Sequence, residues 1–191
     1  MQSMSSEIEL KAKTNGGFFG ALLKKLFGGE SFFVNEFSNP GAAPARVTIA
    51  QDVPGQIVEI DLAPGQELCL QKGAFLAASG DLTFATSWAG FSSWVTGEGL
   101  VRLKAKGPGR LWFGAYGGII EREITDELKV DDGHLVAYDP GLAISVALAG
   151  GFFASMFGGE GIVARLTGRG RVYIQTRSIK GLAAWLNPKF R

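Results

Sequence analysis

The sequence predicts an all-β fold, an antiparallel sandwich or double-stranded β-helix-like barrel of three tandem pseudo-symmetric repeats with short helical inserts. One motif occurs three times, as Gly28-Gly29-Glu30-Ser31-Phe32-Phe33-Val34, Thr96-Gly97-Glu98-Gly99-Leu100-Val101 and Gly158-Gly159-Glu160-Gly161-Ile162-Val163. Copies separated by roughly 60–70 residues indicate one supersecondary unit built repeatedly. Around each copy, short runs alternate apolar and polar residues, and glycine- or proline-containing turns separate them. That spacing favours antiparallel strands over βαβ units. The chain reads as one compact domain over residues 1–191, with approximate repeats 7–52, 53–115 and 116–178 and a tail 179–191.

Each full repeat has two halves. In the second repeat the first half runs from Gly55 through Ile57, Val58, Glu59 and Ile60, turns at Pro64-Gly65, and continues through Glu67 to Leu70 and Phe75 to Ala77. Proline presets φ and glycine supplies φ > 0, so Pro64-Gly65 is turn chemistry. The third repeat copies this as Gly118 to Ile124, Leu128 to Val130 and Leu135 to Ala137. The second half opens with Asp81 to Thr86 and closes with a hairpin, Leu100 to Lys104 turning through Gly107-Pro108-Gly109 into Arg110 to Gly114. Its third copy is Ile162 to Thr167, Gly168-Arg169-Gly170 and Arg171 to Gln175, and its first is Phe32 to Phe37 returning as Arg46 to Ala50. Glu7 to Ala12 matches Asp81 to Thr86, so the first copy reads as lacking its opening half, naturally short or trimmed at the front. An open sheet edge there invites association, and Gly181 to Leu186 or a second subunit is the expected cover.

The segment before each Gly-Glu motif is apolar. In the first copy Phe18, Leu22 and Leu26, and likewise Phe19, Leu23 and Phe27, stand at i, i+4 spacing between glycine stops. Phe152 and Met156, with Phe153 and Phe157, repeat the pattern, and Phe91 and Trp94 occupy the second copy. Such inserts close the end of a barrel and complete its core, or they form an exposed patch that marks a protein or membrane contact. Lys24 and Lys25 beside the first insert give it the composition of a short interfacial helix.

Glu30, Glu98 and Glu160 are equivalent, as are Arg46, Arg110 and Arg171. Three carboxylates around a pseudo-threefold axis would suit a cation; Glu–Arg pairs stitching the repeats together are the stronger expectation. His134 is the single histidine and Cys69 the single cysteine. One histidine cannot build a histidine-rich metal site, and a Cys69–His134 nucleophile pair has no support in the repeat. No P-loop, dinucleotide fingerprint, nucleophile elbow or zinc spacing is present. The acidic run from Glu121 to Asp132 is interleaved with basic and apolar residues, as on a solvated strand face. These readings exclude a recognisable catalytic centre and imply no cofactor and no metal.

Nineteen basic and eighteen acidic residues leave a net charge of +1, which provides no bulk field for nucleic acid. A single cysteine rules out an intrachain disulfide framework and suits a reducing compartment. Met1 to Lys13 has no apolar h-region, and the glycine-broken stretch from Leu142 to Phe157 is too short to span a bilayer. A cytoplasmic protein, with membrane association as the alternative, is the expectation.

Taken together, the apolar insert with Phe27-Gly28-Gly29-Glu30-Ser31-Phe32-Phe33, the Pro54-Gly55-Gln56-Ile57-Val58 turn-strand and the late Thr176-Arg177-Ser178 resemble the altered-inheritance-of-mitochondria family, in the group of its twenty-fourth member. The resemblance runs from Glu7 to about Pro188. It implies a double-stranded β-helix-like architecture of three modules similar to the tryptophan RNA-binding attenuation protein. The mitochondrial relatives are tied to inner-membrane organisation and complex assembly, and the family offers no catalytic residues to transfer. The opening strands and proline-glycine turn usual at the front of the family are absent here. Likeness to an RNA-binding ring is not evidence of RNA binding. The expected function is a non-enzymatic scaffold, self-associating or part of a protein complex. The alternative is a peripheral membrane protein anchored by the inserts, and a small-ligand binder or enzyme without a visible site ranks third.

Overall fold

The architecture follows from two short strand patterns, alternating and continuous, repeated in a fixed order. A computed structural model describes residues 1–14, 33–71, 73–88, 101–148 and 162–190. The chain divides into two compact units, Met1–Asp52 and Val53–Arg191, and the division falls at the boundary between the first two repeats read from the sequence. All the ladders pair antiparallel, and the described strands form several sheets without a closed barrel.

The first unit contains β1 (Ser3–Met4), β2 (Glu9–Thr14), β3 (Phe33–Ser38) and β4 (Val47–Thr48). β1 pairs with β4, and β2 pairs with β3 from Glu9↔Ser38 to Thr14↔Phe33. The Ser5 hydroxyl accepts from the Arg46 backbone N–H at 2.9 Å, tying the end of β1 to the start of β4.

The second unit repeats one six-strand order. It runs β5 (Ile57–Leu62), β6 (Glu67–Leu70), β7 (Phe75–Ser79), β8 (Thr83–Trp88), β9 (Val101–Lys106) and β10 (Gly109–Gly114). It then runs β11 (Ile119–Ile124), β12 (Glu127–Asp131), β13 (Leu135–Tyr138), β14 (Ala143–Leu148), β15 (Ile162–Thr167) and β16 (Gly170–Gln175). In the first set β10 lies between β5 and β7, and β9 between β6 and β8; in the second, β16 lies between β11 and β13, and β15 between β12 and β14. The first unit keeps the last four positions of this scheme, since β1–β4 pairs as β7–β10 does and β2–β3 as β8–β9 does.

Turn chemistry sets the strand limits. The Gln66 N–H donates to the Ala63 carbonyl at 3.0 Å, and Gly65 takes φ 81°, which closes a type II turn at Pro64-Gly65. β9 and β10 are joined through Gly107-Pro108, and β15 and β16 through Gly168-Arg169, as the sequence predicts.

Tyr138↔Cys69 and Ala137↔Leu70 pair β13 with β6, and the Gln71 N–H adds a bond to the Val136 carbonyl at 2.8 Å. This short ladder fuses halves of two modules into one six-stranded sheet, ordered β11-β16-β13-β6-β9-β8. Register assigns its faces, because opposed residues share a side. Val172, Tyr138 and Cys69 stand on one face and join Val130, Leu135, Ala164 and Leu166 in the core of the third module. Tyr173, Ala137, Leu70 and Leu103 stand on the other, all buried, and Phe113 of β10 meets the Tyr173 ring edge-on at 5.3 Å.

At the origin of β5, Gly55 bridges Gly117 in parallel. The Gln56 N–H donates to the Gly117 carbonyl at 2.8 Å, and the Ala115 N–H to the Gln56 carbonyl at 3.0 Å. A Cβ on Gly55 would overlap the Ala115 carbonyl and the Gly117 backbone. Gly55→Ala is therefore expected to cost about 1–3 kcal/mol through forced backbone displacement. Urea unfolding monitored by tryptophan fluorescence checks it; an unchanged midpoint contradicts the crowding.

Candidate interaction surface

The tail that follows β16 carries four of the large exposed apolar side chains among the described residues, Ile179, Leu182, Trp185 and Phe190. Gln175 organises its base. The Gln175 side chain accepts from the Tyr116 N–H at 2.9 Å and donates to the Gly133 carbonyl at 2.7 Å, and its own carbonyl contacts His134 Nδ1 at 2.7 Å. The Ser178 hydroxyl then accepts from the Gly181 N–H at 3.0 Å and caps α1 (Ile179–Leu186). No residue of α1 is buried. Trp185 is 61% and Phe190 81% exposed, and Ile179 and Leu182 are exposed with them. Lys189 stacks over the Trp185 ring at 4.5 Å, and Arg177 over Tyr116 at 5.9 Å. Between α1 and the body of the unit runs an open cleft of about 350 Å³, lined by Tyr116, His134, Arg177, Leu182 and Trp185. Gly181 to Leu186, which the sequence offers as cover for a sheet edge, lies in this helix. Ser178 followed by an apolar run is the cap signal that marks it in the sequence.

The candidate residues from the sequence divide sharply. Phe18, Phe19, Leu22, Leu23, Leu26, Phe27, Phe91, Trp94, Phe152, Phe153, Met156 and Phe157 lie outside the described residues, as do Glu30, Glu98 and Glu160. The arginines lie within them. Arg110 Nε contacts Asp61 at 3.0 Å and Glu59 at 3.3 Å, and stacks on Trp112, whose indole N–H donates to Glu59 at 2.7 Å. Arg171 makes a two-pronged contact with Asp139, Nε at 3.3 Å and Nη2 at 3.2 Å, and the same carboxylate accepts the Arg171 backbone N–H at 2.9 Å. Register explains the difference: Arg171 stands opposite the position of Asp139, whereas Arg110 faces Ser79 and so turns to β5. Arg46 enters the described hydrogen bonds through its backbone N–H to Ser5. The motif glutamates are the partners that the repeat suggests for these arginines; the carboxylates that engage Arg110 and Arg171 here stand on β5 and just after β13.

His134 sits on the 3-10 turn Asp132–His134, while Cys69 is buried in the third-module core. Among the described residues no group of three or more His, Cys, Asp and Glu side chains gathers as around a metal ion, and no helix is long and apolar enough to cross a membrane.

A second cluster occupies the seam of the six-stranded sheet. Register puts Lys104 beside Cys69, Cys69 beside Tyr138, and Arg102 diagonal to Cys69. Arg102 Nη1 donates to Tyr138 Oη at 3.0 Å, and its guanidinium carbon lies 5.1 Å from the centre of that ring. Tyr138 and Cys69 are direct cross-strand neighbours on the same face. Burial pushes the phenol up to about 12 and raises the thiol, so both are neutral near pH 7. In the sequence Arg102 is one residue of an ordinary strand and carries no motif. Aligned by strand pairing, Val34, Arg102 and Val163 occupy one repeat position, so a lone charge among valines is the signal that could have found it.

The phenol supplies a pH test. Its native value lies above that of an unfolded tyrosine, so its contribution is complete below about pH 10 and falls as pH rises towards about 12. Stability should decline across that window by on the order of 2 kcal/mol, and Tyr138→Phe should remove the decline that this phenol causes. Chemical unfolding from pH 8.5 to 11.5 measures both; identical slopes for the two proteins contradict the assignment.

Similarity to known proteins spans both units. A Streptococcus pyogenes serotype M6 protein of uncharacterised function is 28% identical over 189 residues, which is 96% of this chain and 74% of the relative. The X-ray crystal structure of a Streptococcus pyogenes protein superimposes with a TM-score of 0.79 at 28% identity, over 99% of this chain and 85% of that one. Residues 1–177 match the family described as mitochondrial biogenesis AIM24. The chain belongs to the mitochondrial biogenesis AIM24 family.

Proposed function

We propose that the protein is a non-enzymatic scaffold that associates with further copies of itself and so aids assembly of a larger complex. The observation that carries this reading is the exposed apolar run on α1 and beyond it, where Ile179, Leu182, Trp185 and Phe190 stand outside any packed core. Clustered exposed apolar side chains mark contact sites where they form one surface, and tryptophan is enriched at the energetic centres of such sites. Ile57 on β5 and Ile120 on β11 add exposed apolar side chains on strands that end their sheets, and such strands retain free backbone donors and acceptors. A peripheral membrane role is the second reading. Residues 179–191 contain Lys180, Lys189 and Arg191 and no acidic residue, a composition suited to an anionic surface.

Light scattering coupled to size exclusion, across a hundredfold concentration range, tests the first reading. Wild-type protein is expected to associate increasingly with concentration, and the Leu182→Ser, Trp185→Ser double variant to shift towards monomer. A variant with Phe18→Ser, Leu22→Ser and Phe152→Ser tests the inserts in parallel. A wild-type monomer throughout contradicts self-association. Flotation with anionic vesicles then separates the readings, since unchanged oligomers with lost vesicle binding favour the membrane.

A further inference from the structure

We propose that Arg102 anchors a binding site for a small monocarboxylate at the seam between the second and third modules. The side chain is 1% exposed. An arginine is permanently charged, and an enclosed charge without a counter-ion is among the costliest arrangements a protein can keep. Nη1 is engaged by Tyr138, and one face of the guanidinium rests on that ring. Nε and Nη2 are buried without a hydrogen-bond partner among the described residues. Those two nitrogens form one edge of the planar fork, with parallel N–H bonds spaced to meet both oxygens of a carboxylate. The orphan donors are thus a matched pair.

The surroundings narrow the ligand. Glu67 on the adjoining strand β6 is held by Lys104 at 3.1 Å and Lys106 at 3.5 Å. Tyr138 and Cys69 contribute polar atoms without charge at neutral pH. Lys104 and Lys106 share Glu67 on the solvent side, so the one enclosed charge here is that of Arg102; a monoanion balances it, whereas a phosphate dianion would bring a second charge into the enclosure. Enclosure of both nitrogens favours a ligand the size of formate or acetate over a protein side chain or terminus. The scaffold itself does not demand the cation, since Val34 and Val163 hold the same position in the other modules. Arg102 is therefore an addition to one module, placed where two modules share a sheet.

The test uses the full chain, equilibrated in sodium formate or sodium acetate, with chloride and phosphate at matched ionic strength as controls. Enclosure means that the anion enters when the seam opens, so samples are incubated before reading. Wild-type protein should gain a saturable rise in Tm in formate and acetate over chloride. In Arg102→Met that rise should vanish, while Tm in chloride stays level or increases, because an apolar residue of similar length replaces a buried charge. Arg102→Lys keeps the charge but lacks the fork, and should weaken the apparent formate affinity at least tenfold. If either variant fails to fold, the wild-type titration still decides. Formate and chloride curves that coincide overturn the proposal, as does an equal formate response in Arg102→Met. A response to phosphate matching that to formate would show an adventitious ion only and also overturn it.

Discussion

The six-stranded sheet depends on one short ladder, β13 against β6, in which Ala137 opposes Leu70 and Tyr138 opposes Cys69. Each module supplies three strands to the sheet, and neither set completes it without the other. Both faces of this centre are buried, so its side chains serve two cores at once. Strands buried on both faces lose the alternating pattern and read as continuous apolar runs. Leu68-Cys69-Leu70 and Leu135-Val136-Ala137-Tyr138 do so, whereas Ile57 to Leu62 at a sheet end alternates with Glu59 and Asp61.

Polar groups near this seam are held with unequal completeness. Asp139, directly after β13, accepts from the backbone and side chain of Arg171 and fixes the turn that follows. Lys104 is answered by Glu67. Among the described residues Arg102 is answered by a phenol alone, through one nitrogen and one ring face. Buried polar groups are normally satisfied, and an exception at a joint between repeated units directs attention to that joint. The contrast with exposed pairs matters energetically. Arg110 with Asp61 stands in water and contributes little, while an enclosed guanidinium affects stability in whichever direction its partner dictates.

Much of the framework is legible in the sequence. The Gly-Glu repeat, the Pro64-Gly65 turn and the Gly107-Pro108 hairpin are local, and local chemistry fixes a strand's limits within a few residues. β1 and β14 are illegible there for different reasons. Ser3–Met4 is too short to show a period, and Ala143–Leu148 runs into a glycine-rich apolar segment that hides its end. The candidate surface is harder to read. The Ser178 cap precedes only eight helical residues, and whether their apolar side is covered depends on what folds beside it. The partners of Arg110 and Arg171 are similarly out of reach, because they stand on neighbouring strands whose register is a non-local property.

The sequence by itself determined an all-β chain of repeated modules, its turns, and its family, because those follow from period, turn residues and motif spacing. Tertiary structure decided which strands sit at the centre of the shared sheet and which remain at an end. It also decided that Arg102 is enclosed while Lys104 and Lys106, on the same face of the same strand, reach their carboxylate near solvent. Alternation places all three cations on one side of β9. Only the pairing of β13 with β6 brings Tyr138 over the first of them, and a pairing between distant segments is not written in the period of either.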